Sequence, residues 1–184
     1  MFDLDQFVAD IRSTLVDRSR RGTKDVVARA VSDSGSLLRC LGEPSKAGIQ
    51  VLHHAADLTI LNLAWGPGQM TLPHDHRLWA VIGMYGGRED NVYWRRVPDQ
   101  LQHSIDIAGG RALIPGDVEV LGQDIIHSVV NPLSKLSGAI HVYGGDFFGV
   151  RRSQWNPATL AEEPYDHAQA RQMYENANAA MART

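Results

Sequence analysis

Cysteine is nearly absent from this 184-residue sequence, Cys40 being the only one. An intramolecular disulfide is therefore excluded, and so is a thiolate-rich metal site within one chain. Cys40 itself lies ahead of the β-rich part of the chain and reads as a small buried hydrophobe. No apolar run approaches the length of a membrane span, so no membrane partner is expected. Neither sign of charge dominates: 18 Lys and Arg stand against 21 Asp and Glu, a formal net charge of -3. That balance argues against a nucleic-acid partner held by a basic surface. The first residues, Met1-Phe2-Asp3-Leu4-Asp5, are acidic and lack the pattern of a secretory signal, which makes a cytoplasmic location the expectation. Repeats and low-complexity stretches are missing as well.

What is present divides into three zones. Residues 1–46 read as helical. Phe2, Leu4, Phe7, Val8, Ile11 and Leu15 recur on one helical face. After the charged break at Asp17–Arg21, Thr23 is placed to cap a second helix with Val26, Val27, Ala30 and Val31 on its apolar side. Residues 47–155 change to short β-prone runs broken by Gly, Pro and Asn, a spacing that predicts an all-β sandwich or barrel. Strands are expected at 50–54, 58–65, 70–75, 79–85, 91–96, 101–107, 111–115, 118–121, 125–130 and 138–143. Gly86-Gly87 and Gly109-Gly110 read as hairpin turns. Residues 156–184 turn helical again, with a short segment from Pro157 to about Glu163 and a longer one from Tyr165 to Arg183. Both helical ends are expected to pack on the β domain and carry no chemistry.

Eight histidines carry most of the functional information. His74-Asp75-His76 lies in a strand-like run. Residues i and i+2 of a strand face the same way, about 6–7 Å apart, a spacing at which two imidazoles can hold one ion. His127 sits about fifty residues on, in another apolar run, and closure of a barrel can bring such distant strands together around a lumen. Gly68 with His74 and His76 meets the pattern G-x5-H-x-H, and His127 with Asn131 meets H-x3-N.

These are the two halves of the cupin signature, and the chain resembles the cupins. Within them it is similar to the cysteine dioxygenase-like thiol dioxygenases, nearest to the bacterial 3-mercaptopropionate dioxygenase branch. The resemblance covers about residues 50–155. It rests on Trp65-Gly66-Pro67-Gly68-Gln69, Pro73-His74-Asp75-His76, Trp79-Ala80-Val81-Ile82-Gly83, His127-x3-Asn131 and His141-Val142-Tyr143-Gly144-Gly145. The fold it implies is a single cupin double-stranded β-helix, or jelly-roll barrel, with the N- and C-terminal helices packed on it. It also implies one non-haem Fe(II) per chain, held by His74, His76 and His127, with O2 and a small-molecule thiol as reactants and a sulfinate as product.

The resemblance assigns Tyr143 to face bound oxygen or substrate and His141 to orient it. The serine that completes this relay in the family is Ala139 here, and the cysteine that crosslinks to the tyrosine in the mammalian enzyme is Val81. A carboxylate anchor is expected from Arg152 or Gln50, with His53 and His54 as alternatives to Gln50, and Trp79 is placed among the substrate-binding residues. Glu89 is expected in a structural salt bridge after a hairpin. The polar run Tyr85–Arg96 reads either as pocket lining or as a solvated hairpin, and the latter is the commoner fate of such runs. His103 and His167 read as surface residues, and Asp146-Phe147-Phe148 as packing at the barrel rim. Two rival readings stay open: a cupin with another O2-dependent reaction, such as dicarbonyl cleavage, and a non-catalytic cupin sensor. Assembly into a homo-oligomer is also left open.

Overall fold

The computed structural model describes residues 1–98 and 104–183. Three helices come first: α1 (Leu4–Thr14), α2 (Arg21–Ser32) and α3 (Ser34–Leu41). The strands β1 (Gly48–His54), β2 (Thr59–Trp65), β3 (His74–Asp75), β4 (Ala80–Gly86), β5 (Glu89–Arg96) and β6 (Ile105–Leu113) follow. Then come β7 (Val118–Leu121), β8 (Ile126–Val130), β9 (Ser137–Tyr143), β10 (Ser153–Trp155), β11 (Glu162–Pro164) and the last helix, α4 (His167–Met181).

Among the described residues the strands form two antiparallel sheets. One has the order β1-β2-β9-β4-β7 and the other β11-β10-β3-β8-β5-β6. From β2 to β5 and again from β6 to β9 the chain passes from one sheet to the other at each step. That winding makes the domain a double-stranded β-helix of the cupin type, with the lumen between the sheets.

The three central strands of the first sheet are buried: β2 and β9 along their whole length, and β4 up to its last residue. The reason is that both faces are covered. Ile60, Val81, Ile140 and Val142 point outward and pack under Phe7, Ile11, Val26, Val27, Val31 and Leu37 from the N-terminal helices. Leu61, Leu63, Trp65, Ala80, Ile82, Met84, Ala139 and Tyr143 point into the lumen. Strand periodicity separates the two sets. The helix α2 lies directly on β4, because a Cβ at Gly83 would sit only 2.4 Å from Val27 Cγ1.

Several boundaries differ from expectation. Gly109-Gly110 is not a turn. It lies inside β6, opposite Tyr93 and Val92, where the register slips by one residue at Tyr93/Trp94. The runs expected at 101–107 and 111–115 are thus one strand, with residues 101–103 outside the described ones. Gly86-Gly87 is not a hairpin turn either, because β4 and β5 lie in different sheets; the pair carries the chain across between them, with Gly87 at φ 74°, where a side chain would collide with Ser137. Met70–Asp75 shortens to the two residues of β3 plus a bridge from Met70 to Val130. Thr23 is a buried residue inside α2 rather than its cap. The segment after Pro157 leads into β11, not a helix. Cys40 is exposed, because it falls on the outward side of α3.

Candidate metal centre

The register of the second sheet builds the site. β3 pairs with β8 so that His74 stands opposite His127. His76, two residues after His74, faces the same lumen. One ligand atom from each of the three imidazoles lies within 4.8 Å of the others. His76 Nε2 and His127 Nε2 are 3.2 Å apart, and the ring centroids of the three pairs are 4.8–5.1 Å apart.

The outer nitrogens are held by the fold. His74 Nδ1 lies 2.9 Å from the Leu72 carbonyl, and His127 Nδ1 lies 2.7 Å from Asn91 Oδ1. A nitrogen facing a carbonyl or amide oxygen carries the proton, so the Nε2 lone pairs of both rings face the lumen. His76 and His127 are 4% and 1% exposed. Burial, followed by the charge each would feel from its neighbours, holds both imidazoles well below their ordinary pKa. Three neutral, convergent imidazoles in a closed lumen are a donor set that fits a divalent cation.

The same burial sets an acid limit. His74 is pushed from 6.5 down to about 4, chiefly by loss of water and then by the charges of Arg152 and His141, against the Leu72 hydrogen bond. The unfolded chain takes up protons near pH 6.5 that the folded one refuses. Stability is therefore full above pH 6.5 and falls as pH drops toward 4, by about 3 kcal/mol for this ring alone. The metal-free protein is expected to lose Tm steadily across that window in a circular-dichroism melt, and a flat Tm there would contradict neutral buried rings.

β9 supplies the second group of side chains. His141 and Tyr143 share its lumen face, and His141 Nδ1 lies 3.0 Å from the Tyr143 hydroxyl. The Tyr143 ring is 5.0 Å from that of His76. Burial pushes the Tyr143 phenol far above its ordinary pKa, so it keeps its proton. Ala139, lower on the same face, is fully buried in the core and contributes only a methyl group.

Arg152 is 8% exposed. Its guanidinium lies between two rings, 4.0 Å from the Phe147 centroid and 4.1 Å from that of Tyr165. Those rings adjoin the histidines: Phe147 is 6.0 Å from His76, and Tyr165 is 6.0 Å from His74. Arg152 Nε and Nη1 are buried without a hydrogen-bond partner. Burial draws its pKa down, partly offset by Tyr165, Tyr143 and Asp75. The guanidinium still carries its charge.

The three histidines, His141, Tyr143, Phe147, Arg152 and Tyr165 line one cavity of about 410 Å³, whose other walls include Leu63, Trp65, Val129, Met173 and Tyr174. The C-terminal segment is therefore a wall of the site, contrary to the expectation that the tail carries no chemistry. Tyr174 stacks on Trp65 at 5.7 Å, and Asn178 makes two hydrogen bonds with the backbone of Ala47.

Other expected residues lie elsewhere. Gln50 is on the outer side of β1, where it accepts a hydrogen bond from Asn62. Trp79 packs with the N-terminal helices under Arg20. His53 is beside Arg12 and His54 beside Asp146, both away from the cavity. Phe147 and Phe148 both line the cavity, Phe147 buried and Phe148 at its rim, 41% exposed. His167 is exposed at the cavity mouth, and His103 lies outside the described residues. Asn131 is structural: its Nδ2 donates to the carbonyls of Trp65, Gly66 and Lys135.

Glu89 is neither solvated nor paired with a surface cation. It is fully buried on the lumen side of β5, where Trp65 Nε1 and Asn91 Nδ2 each donate to it at 3.0 Å. Burial raises its pKa, but His141, Asn91 and Trp65 outweigh that and hold it below the ordinary value. Alternation along β5 sends Glu89 and Asn91 inward and leaves the Arg88–Asp90 pair outside.

Strands wound between two sheets, with three imidazoles gathered in the lumen, define a cupin-type barrel with a candidate metal centre. No protein-family model matches the chain. Among solved structures it is similar to an RmlC-like cupin family protein from Methanocaldococcus jannaschii, at 10% identity and a TM-score of 0.46, over 58% of this chain and 86% of that one. It is also similar to an oxalate oxidase in complex with glycolate, at 12% identity and a TM-score of 0.42, over 56% of this chain and 53% of that one. A third is oxalate decarboxylase from Bacillus subtilis, at 15% identity and a TM-score of 0.40, over 59% of this chain and 24% of that one. The chain thus spans about half of the oxidase and a quarter of the decarboxylase. Among the described residues no helix is long and apolar enough to cross a membrane.

Proposed function

We propose that the protein is a metal-dependent dioxygenase that converts a small anionic thiol to its sulfinate, with Fe(II) at His74, His76 and His127. The observation that carries the reading is Arg152: a buried guanidinium with two unpartnered N–H donors, one aromatic ring away from the three-histidine cluster. A buried cation with open donors suits an anion that arrives with the substrate, and its planar fork matches a carboxylate.

When bound, the metal supplies a Lewis-acidic centre at which thiolate and O2 meet. The chain's residues do the rest. Arg152 grips the carboxylate and fixes the direction of the thiol. Phe147 and Tyr165 keep the guanidinium in place and exclude water. Tyr143 keeps its proton and presents its hydroxyl oxygen to the cavity, with His141 behind it. The overall change, R–S⁻ + O2 → R–SO2⁻, balances without a further reductant, since sulfur supplies the four electrons that O2 takes up.

The test is anaerobic reconstitution with Fe(II), exposure to carboxylated thiols and then air, and mass spectrometry of the product. A gain of two oxygen atoms is expected; no O2 uptake with any thiol in the panel would overturn the assignment. A second reading, O2-dependent attack on a larger carboxylate that is not a thiol, is favoured by the volume of the cavity and by its apolar walls at Leu63, Val129 and Met173. Uptake of O2 with such acids alone would select it.

A further inference from the structure

Glu89 is a charged group sealed inside the barrel, and it does not touch the cavity that would hold a substrate. Its two oxygens face different partners. Oε1 accepts from Asn91 Nδ2, and Oε2 accepts from Trp65 Nε1 and lies 3.7 Å from His141 Nε2. We propose that Glu89 is a positioning residue that sets the proton positions of two imidazoles at once, His127 through Asn91 and His141 directly. The inference rests on the reading of His141 and Tyr143 as the pair that serves the metal centre.

The first arm follows from donor and acceptor logic. Only the amide nitrogen of Asn91 can donate to a carboxylate, so its oxygen must turn to His127, where it stands 2.7 Å from Nδ1. His127 is then protonated at Nδ1 and offers Nε2 to the lumen. The second arm works in the opposite sense. His141 Nε2 is buried and has no hydrogen-bond partner, and the Glu89 carboxylate is the anion it faces. A proton on Nε2 is stabilised there, which leaves Nδ1 as the acceptor for the Tyr143 hydroxyl. The arrangement is thus Glu89–His141–Tyr143 on one side and Glu89–Asn91–His127 on the other.

A carboxylate is the group this place needs, because it accepts on both oxygens. In Glu89→Gln, either orientation of the amide sets an N–H against an existing donor: Asn91 Nδ2 in one, Trp65 Nε1 and His141 Nε2–H in the other. One imidazole must change its proton to relieve the conflict. An outer partner of this kind typically contributes 10–100-fold to metal affinity or activity, so a loss of about tenfold is expected.

The decisive experiment is ¹⁵N NMR of histidine-labelled protein without metal, which reads tautomers directly and does not depend on turnover. His127 should be protonated at Nδ1 and His141 at Nε2 in the wild type. Glu89→Gln should invert at least one of them, with the far-ultraviolet circular dichroism unchanged, and should weaken anaerobic Fe(II) binding about tenfold. Wild-type protein with His141 protonated at Nδ1 would overturn the proposal whether or not the variant folds. So would a folded Glu89→Gln protein with both tautomers and Fe(II) affinity unaltered. Absence of thiol oxidation in the wild type would sink the proposed reaction while leaving this measurement decisive for Glu89.

Discussion

His76→Ala is expected to abolish stoichiometric Fe(II) binding, with affinity falling by more than the roughly 100-fold that an outer partner can account for. His76 is the ring at the centre of the site. It touches His74, His127, Tyr143 and Phe147, and its Nε2 lies closest to that of His127. Two imidazoles that remain on neighbouring strands do not complete the facial set that leaves open positions for two reactants. The protein should nevertheless fold, because burying an imidazole among rings is not what holds the sheets together: the larger apolar contacts lie under the N-terminal helices and among Leu61, Ile82 and Met84. Anaerobic equilibrium dialysis against Fe(II) measures the effect, with His53→Ala, on the outer side near Arg12, as the control that keeps its metal. Full occupancy in His76→Ala would remove the centre from the argument altogether.

Arg152→Met is expected to raise KM for carboxylated thiols by about 30-fold or more, since removing one partner of a buried, hydrogen-bonded charge pair costs about 2–5 kcal/mol. Methionine fills much the same volume between Phe147 and Tyr165, so the change is one of charge and hydrogen bonding rather than of packing. Thiols lacking a carboxylate should show little difference, and an equal rise for both kinds would dismiss Arg152 as the anchor. The same substitution carries a second signature. Without substrate, the wild-type guanidinium keeps two donors unsatisfied in the interior, an arrangement that weakens the fold. Arg152→Met should therefore melt higher than the wild type while binding its substrate worse.

The sequence made some of this legible and hid the rest for identifiable reasons. His74, His76 and His127 stand out because a two-residue spacing and a distant partner are visible in a string, and the barrel places them together. Arg152 is expected only through the resemblance, since no local pattern distinguishes it from a surface arginine. Gln50 and Trp79 were misplaced because the face a strand presents depends on its register. One step of alternation sends Gln50 to the outer side with Asn62, and Trp79 toward the N-terminal helices. Glu89 was hidden by composition: a charged residue after a Gly-Gly turn resembles a solvated one until Trp65 and Asn91 are seen around it. Tyr165 and Tyr174 lie in a polar tail with no motif, and their place in the cavity depends on a return of the chain that no local pattern announces. Gly109-Gly110 shows the limit of turn signals, since the pair allows a strand slip as readily as a reversal.

The strict in-and-out order of β9 has a consequence for how such a chain can change over time. His141 and Tyr143 face the cavity only because they occupy odd steps, while Ile140 and Val142 on even steps lie against the helices. Gain or loss of a single codon inside this strand would exchange the two sets, burying the imidazole and phenol in the oily seam and lining the chamber with aliphatic groups. Length variation without loss of chemistry is thus confined to the connections between strands, and the chemistry itself is inherited as a matter of parity.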